Sequence, residues 1–378
     1  PEELEIRRRE NRQEGTGGYD NRCRELSLGQ IKEFQDQGRK PCVRFRVPDK
    51  QIVFEDVIRG EVSFDTSLIP DFVIMRPDGR PSFNFAVVLD DSLMEITDVI
   101  RGEDHISNTP RHILLFEALG FPVPRFAHMS LTLGPDRKLF SKRHGAISIK
   151  TFENMGYLPE GILNYLALLG WSPPEGEEIM TTQQMRTVFE LDSLSSSPAI
   201  FDWSKLNWVS GQHIRRADPA RLTDLAIPFL RGAGYLEGEI AEDAYQWVVE
   251  IVEVLSASLN CLSEINDYAP IFFNEDLPED PEGKAGQILK KETARKLIGL
   301  IRRNLEGPPL PPVDFWKKTI EEAGEELGLK GKELFQPLRA ITTGRSSGPE
   351  LTEVLPLIPM DTIRTRLKES ERKIKKSE

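Results

Sequence analysis

With 378 residues and a formal net charge of −12, the chain is long enough for two or three domains, each burying its own core. Hydrophobic content of 39% and charged content of 29% are those of a soluble globular protein and exclude a disordered or fibrous one. No apolar run reaches membrane-spanning length and no signal peptide pattern is present. The three cysteines, Cys23, Cys42 and Cys261, lack scaffold spacing, which points to a reducing cytoplasm.

Residues 1–37 are polar and helix-patterned, opening on Pro1 followed by acids and broken by Gly15, Gly17 and Gly18. Residues 42–75 hold short apolar runs, some alternating with polar residues, which predict half-buried antiparallel strands. Phe83 to Leu89 is a near-continuous apolar run ended by Asp90 and Asp91, and it predicts a parallel strand covered on both faces. Ile96 to Ile100 predicts a second strand. Thr109 to Leu119 predicts a helix opened by Asn108, Thr109 and Pro110 and closed by Gly120.

A strand-like segment, Phe126 to Leu133, leads into Gly134-Pro-Asp-Arg-Lys-Leu-Phe-Ser-Lys-Arg-His-Gly145. In this loop Arg137, Lys138, Lys142 and Arg143 crowd behind a single acid, Asp136, and Gly and Pro let the backbone approach a ligand closely, a composition suited to polyphosphate. From Glu160 the apolar spacing of Ile162, Leu163, Leu166 and Leu169 is helical. Phe201 to Val209 reads as a packed connection with Trp203 and Trp208 in the core. Residues 219–378 are helix-patterned throughout except for a Pro-rich break at 307–312, and an all-helical half beside an α/β half predicts separate domains. Basic residues gather at Arg7–Arg9, Arg44 and Arg46, 137–143, Arg215 and Arg216, and Arg364 to Lys376. An acidic chain can therefore present a basic face to phosphates.

Four blocks, in order, carry a family resemblance: Phe83-Asn-Phe-Ala-Val-Val-Leu-Asp-Asp91 with Ile96-Thr-Asp-Val-Ile-Arg-Gly-Glu-Asp-His-Ile-Ser-Asn-Thr-Pro110, then the Ser141-Lys-Arg-His-Gly145 loop, Gly156 to Ser172, and Phe335 to Gly344. Together they resemble bacterial glutamyl-tRNA synthetases, class I aminoacyl-tRNA synthetases. The resemblance implies an α/β plus all-α chain: the C-terminal half of a Rossmann-like catalytic domain with the remainder of its acceptor-binding insertion, followed by a helical anticodon-binding region. The expected boundaries are 1–82 for the insertion, 83–137 for the second catalytic half, 138–218 for the KMSKS-type loop and stem-contact domain, and 219–378 for the anticodon-binding domains. The family's HIGH motif belongs to a half preceding Pro1. No His-x-Gly-His occurs here, so the expectation is an N-terminally truncated sequence, unable to act alone. The alternative is a catalytically silent tRNA-binding paralogue.

What the family does implies a cytoplasmic glutamate–tRNA ligase, a monomer with no membrane contact, that uses ATP, Mg²⁺ arriving with ATP, L-glutamate and tRNA-Glu, with tRNA-Gln as a second acceptor. Lys142 aligns with the family's catalytic lysine, within an ATP-binding set of Leu139, Phe140, Ser141, Lys142 and Arg143. Leu139 stands where the first lysine of KMSKS is usual. For glutamate the aligned residues are Arg101, Phe83, Val87 and His105. Arg101 would take the α-carboxylate, against the alternative of an ion pair with Glu103 or Asp104. Phe83 replaces a usual tyrosine, Val87 a frequent asparagine, and His105 is equally readable as structural. Cys23 matches one ligand of a zinc site found in relatives, but Glu25 fills the partner position, so no zinc is expected. Ser258 replaces an arginine that reads the third anticodon base in strictly discriminating members. Glutaminyl-tRNA synthetases use β-barrels for the anticodon, and the queuosine-glutamylating relatives lack that region. The helical C-terminus argues against both.

Overall fold

The alternation in residues 42–75 produces two antiparallel pairings: β1 (Val43–Phe45) with β4 (Phe72–Met75), and β2 (Gln51–Asp56) with β3 (Gly60–Asp65). In the computed structural model, which describes residue 19, residues 23–140 and residues 148–375, β2 also begins the parallel part of a sheet. That sheet has the order β3-β2-β6-β5, where β5 is Asp98–Gly102 and β6 is Arg125–Met129, and both β2 and β5 run parallel to β6. A parallel neighbour needs a crossover, and helix α3 (Thr109–Leu119) supplies it between β5 and β6. Its limits are those the caps predict: Pro110 lies in the first turn, and Gly120 takes the left-handed conformation at φ 72°.

The run from Phe83 is not a strand. Phe83–Leu93 forms helix α2, with Ser82 extended at its N-cap. Short apolar runs fit a buried strand and a buried helix equally well, and tertiary packing decided this one. Val88 is fully buried, and Phe85 and Val87 pack against the core of Ile113, Leu114, Phe116 and Phe126. The parallel strand expected at Phe83–Leu89, covered on both faces, is therefore replaced by a helix. A third pairing joins β7 (Thr132–Leu133) to β8 (Ala199–Ile200) in parallel. A short helix, α1 (Leu28–Asp36), opens with a capping box between Ser27 and Gln30.

The described residues fall into two compact units, one within Pro1–Phe140, Leu168–Gly176 and Val188–Phe201, the other within Ser141–Ala167, Glu177–Thr187 and Asp202–Glu378. Helices α4 (Ile149–Asn154), α5 (Pro159–Gly170) and α6 (Thr182–Val188) follow the loop, and α7 (Trp203–Ile214) replaces the packed connection expected at 201–209. Asp202 caps α7 through Ser204 and Lys205 N–H. Of the two indoles, Trp208 is 41% exposed with the Lys205 ammonium 4.4 Å from its ring, so it is not the core residue expected.

Beyond it the second unit is helical, from α8 (Pro219–Gly232) and α9 (Glu242–Ser256), through the short α10 (Ile265–Tyr268), α11 (Pro270–Phe273) and α12 (Ala285–Leu289), to α13 (Glu292–Leu305). After the Pro-rich break come α14 (Pro312–Leu327), α15 (Lys332–Thr343), α16 (Leu351–Val354) and α17 (Met360–Lys375). One continuous apolar core joins them, from Ile214 and Leu230 to Ile341 and Leu367. Arg366 is fully buried on α17. Its guanidinium donates to the carbonyls of Thr342 at 2.6 Å and Asn274 at 2.5 Å, closing helix ends that would otherwise lack donors.

Candidate amino-acid site at the strand ends

Strands β2, β6 and β5 lie side by side, and each ends on a polar residue: Asp56 closes β2, His128 stands next to last on β6, and Arg101 next to last on β5. Arg101 and His128 are register partners, so their side chains leave the sheet on the same face. The carboxyl ends of parallel strands are where open α/β sheets bind ligands.

The Arg101 guanidinium is held by neutral acceptors. Nε donates to His128 Nε2 at 3.2 Å, Nη1 to His112 Nδ1 at 3.3 Å, and Nη2 to Thr109 Oγ1 at 2.8 Å. A long 3.5 Å contact joins Nη2 to the carbonyl of His105. One Nη1 hydrogen and the weakly held Nη2 hydrogen thus remain as a fork for an incoming anion. Among the described residues no carboxylate reaches Arg101 within ion-pair distance. Glu103, one candidate structural partner, pairs with Arg59 instead, and Asp104 lies beside His105. Burial pulls Arg101 below the usual arginine value, opposed by the more distant charges of Asp91 and Asp104. A partly desolvated cation with only neutral partners has the chemistry to pair with an anion.

Phe83 and His105 lie beside one another near Arg101, whereas Val87 packs into the core. Phe83 is 57% exposed, with its ring centre 6.4 Å from that of His105 and 6.3 Å from that of His112. Val87, one turn along α2, packs into the core and has no polar atom to offer. His105 Nδ1 accepts from the Asn108 side-chain amide nitrogen at 3.2 Å. Sequence reasoning did not single out Asp56, Asn84, Asp91, Thr109, His112 or His128, which complete the surroundings. The available signal was His128 itself, a lone imidazole in a strand whose neighbours Phe126 and Ala127 are buried, where a polar group must find a partner.

His112 carries a further consequence. Burial first, then the positive charges of Arg101 and Arg111, push its pKa down to about 3, and its Nε2 contacts Asn84 Oδ1 at 3.0 Å. Burial also lowers His128 and His213. The unfolded chain takes up protons near the ordinary 6.5 that these folded histidines refuse. Their stabilisation is therefore complete above that value and is lost as pH falls below it, for His112 at a slope approaching about 1.4 kcal/mol per pH unit. Urea midpoints are expected to be lower at pH 5 than at pH 7. An equal or higher midpoint at pH 5 would contradict neutral burial.

The basic loop begins on a defined base. Gly134 N–H donates to Lys138 O at 2.7 Å, Phe140 N–H to Thr132 O at 3.0 Å, and Leu133 bridges Leu139. The Phe140 ring stacks on buried Phe201 at 4.5 Å, anchoring the loop, while Leu139 is 57% exposed. Ser141, Lys142 and Arg143 lie outside the described residues. Ser258 sits half-buried on the turn after α9, its N–H donating to Leu255 O at 2.8 Å. Cys23 is exposed, and among the described residues no three His, Cys, Asp or Glu side chains are grouped to hold a metal ion. No helix among the described residues is long and apolar enough to cross a membrane.

Residues 1–208 match the family model for the catalytic domain of class I tRNA synthetases (E and Q), and residues 221–370 match an anticodon binding domain. The chain is 43% identical over 368 residues to glutamate–tRNA ligase 1 of Caldicellulosiruptor saccharolyticus, spanning 97% of this chain and 76% of that protein. It is 42% identical over 369 residues to glutamate–tRNA ligase of Desulfitobacterium hafniense, spanning 97% and 75%. The crystal structure of a glutamate tRNA ligase from Elizabethkingia meningosepticum, in complex with its amino acid, matches with a TM-score of 0.83 at 27% identity, covering 98% of this chain and 78% of that one. By family model, by identity over nearly its whole length and by fold, the chain belongs to the class I tRNA synthetases of the glutamate and glutamine group.

Proposed function

We propose that the protein is a glutamate–tRNA ligase of the cytoplasm. The glutamate carboxylate attacks the α-phosphorus of ATP and expels pyrophosphate. A ribose hydroxyl at the 3′ end of tRNA-Glu then attacks the acyl carbonyl and expels AMP. Mg²⁺ enters with ATP. The observation that carries this reading is Arg101, a cation at the carboxyl ends of parallel strands whose described partners are all neutral. A guanidinium fork suits the substrate α-carboxylate, with Phe83 and His105 flanking it and Val87 lining it.

Negative charge grows on the leaving pyrophosphate, so a cation placed there acts mainly in the transition state. We assign this to Lys142, with Leu139, Phe140, Ser141 and Arg143 as its loop. The turn bearing Ser258 belongs to the region that meets the anticodon. A hydroxyl there, instead of a guanidinium, loosens the choice between tRNA-Glu and tRNA-Gln.

Lys142→Ala, made in the protein translated from the whole reading frame, is expected to lower the rate of aminoacylation roughly ten- to a hundredfold, the value of one charge-assisted contact. Affinity for tRNA, followed by filter binding, is expected to stay near that of the parent protein. Equal losses in both measurements would reject the assigned role.

A further inference from the structure

Arg101 is oriented by a hydrogen-bond circuit whose direction is set at its far end. The Asp56 carboxylate lies wholly buried against His128, with Oδ2 2.6 Å from His128 Nδ1. Asp56 is kept ionised by what surrounds it: it accepts the backbone N–H of Ile58 at 3.1 Å, of Arg59 at 3.0 Å and of His128 at 3.1 Å. An ionised carboxylate only accepts, so the hydrogen between the two sits on Nδ1. A neutral imidazole protonated at Nδ1 has a bare Nε2. That nitrogen is 3.2 Å from Arg101 Nε and 3.0 Å from Thr109 Oγ1. The triangle then closes with Nε2 as an acceptor shared by two donors. Arg101 Nη2 donates to the Thr109 hydroxyl, this hydroxyl donates to His128 Nε2, and Arg101 Nε donates to the same nitrogen. Were Nε2 protonated, N–H would face N–H, and the guanidinium would turn away.

We propose that His128, locked by Asp56 as its Nδ1–H tautomer, is a positioning residue that aims the free edge of the Arg101 guanidinium at the substrate carboxylate. The proposal rests on reading Arg101 as the substrate's cation. Asp56 and His128 stand 72 residues apart, and neither touches the ligand fork itself.

The test uses the protein translated from the whole reading frame. In ¹⁵N-histidine spectra of the unaltered protein at pH 7.5, His128 is expected to carry its proton on Nδ1. A proton on Nε2, alone or together with Nδ1, overturns the proposal without any variant being made. Among variants, His128→Asn keeps a donor for Asp56 but removes the Nε2 acceptor, and it is expected to raise the glutamate KM about tenfold with kcat nearly constant, the signature of lost uniform binding. His128→Gln places an amide oxygen where Nε2 stood and is expected to recover most of that loss. Asp56→Asn offers Nδ1 a donor and reverses the tautomer, so it is expected to reproduce the KM of His128→Asn. Folded His128→Asn and Asp56→Asn proteins with unaltered KM would overturn the positioning role while Arg101→Ala still impaired binding. An unaltered KM in Arg101→Ala would instead overturn the substrate reading beneath it.

Discussion

Arg101→Ala is expected to lower kcat/KM for glutamate by roughly a thousandfold, the equivalent of about 4 kcal/mol for removing one side of a desolvated, hydrogen-bonded charge pair. Two losses combine. The substrate carboxylate no longer meets a cation, and His128 Nε2, His112 Nδ1 and the Thr109 hydroxyl lose the donors that now satisfy them. Arg101→Lys is expected to recover little. An ammonium is a single point with three hydrogens, and it cannot serve acceptors spread around a planar guanidinium and also present a fork to a ligand. Initial rates of aminoacylation against glutamate concentration measure the effect, with far-ultraviolet circular dichroism reporting the fold. A glutamate KM unchanged in a folded Arg101→Ala protein would remove the carboxylate from this position.

The family resemblance pointed to Arg101, whereas nothing in the sequence pointed to the residues that hold it at the end of β5. The limits of α3 could be read from local chemistry: a Pro in the first turn and a Gly past the last act within a few residues of themselves. The antiparallel hairpin β2–β3 was legible for the same reason, since alternation is a local period. Helix α2 was misread because its apolar run carries no period that separates strand from helix. What decided its form was the packing of Phe85, Val87 and Val88 on the core. The contact between Asp56 and His128 had no local signature at all. It exists because β2 and β6 become neighbours in the sheet, and only the three-dimensional register brings the two residues together. Half of the proposed chemistry, the loop from Ser141 onward, was legible only as composition and resemblance.

The last block of resemblance, ending in Thr342-Thr-Gly344, has a steric explanation that predicts a large loss of stability. Gly344 stands just past α15 in the left-handed region at φ 72°, and a Cβ added there would come 2.1 Å from Pro278 O and 2.9 Å from Pro278 C. These are backbone atoms, which cannot rotate aside as a side chain would. The segment they belong to is itself fixed: Asp280 accepts the N–H of Ala285 at 2.7 Å and of Lys284 at 2.8 Å, and also holds Ser346 just after the glycine. Gly344→Ala is therefore expected to destabilise the helical unit by about 4 kcal/mol or more, combining the left-handed strain of a non-glycine residue with displaced backbone. Gly328 provides the comparison. It follows α14 at φ 65°, and a Cβ there would meet nothing within 4 Å. Gly328→Ala is expected to cost only about 1 kcal/mol, the conformational part alone. Urea denaturation of the two variants separates clash from strain. If both lose the same stability, close approach of the Pro278 backbone is not what requires glycine at 344.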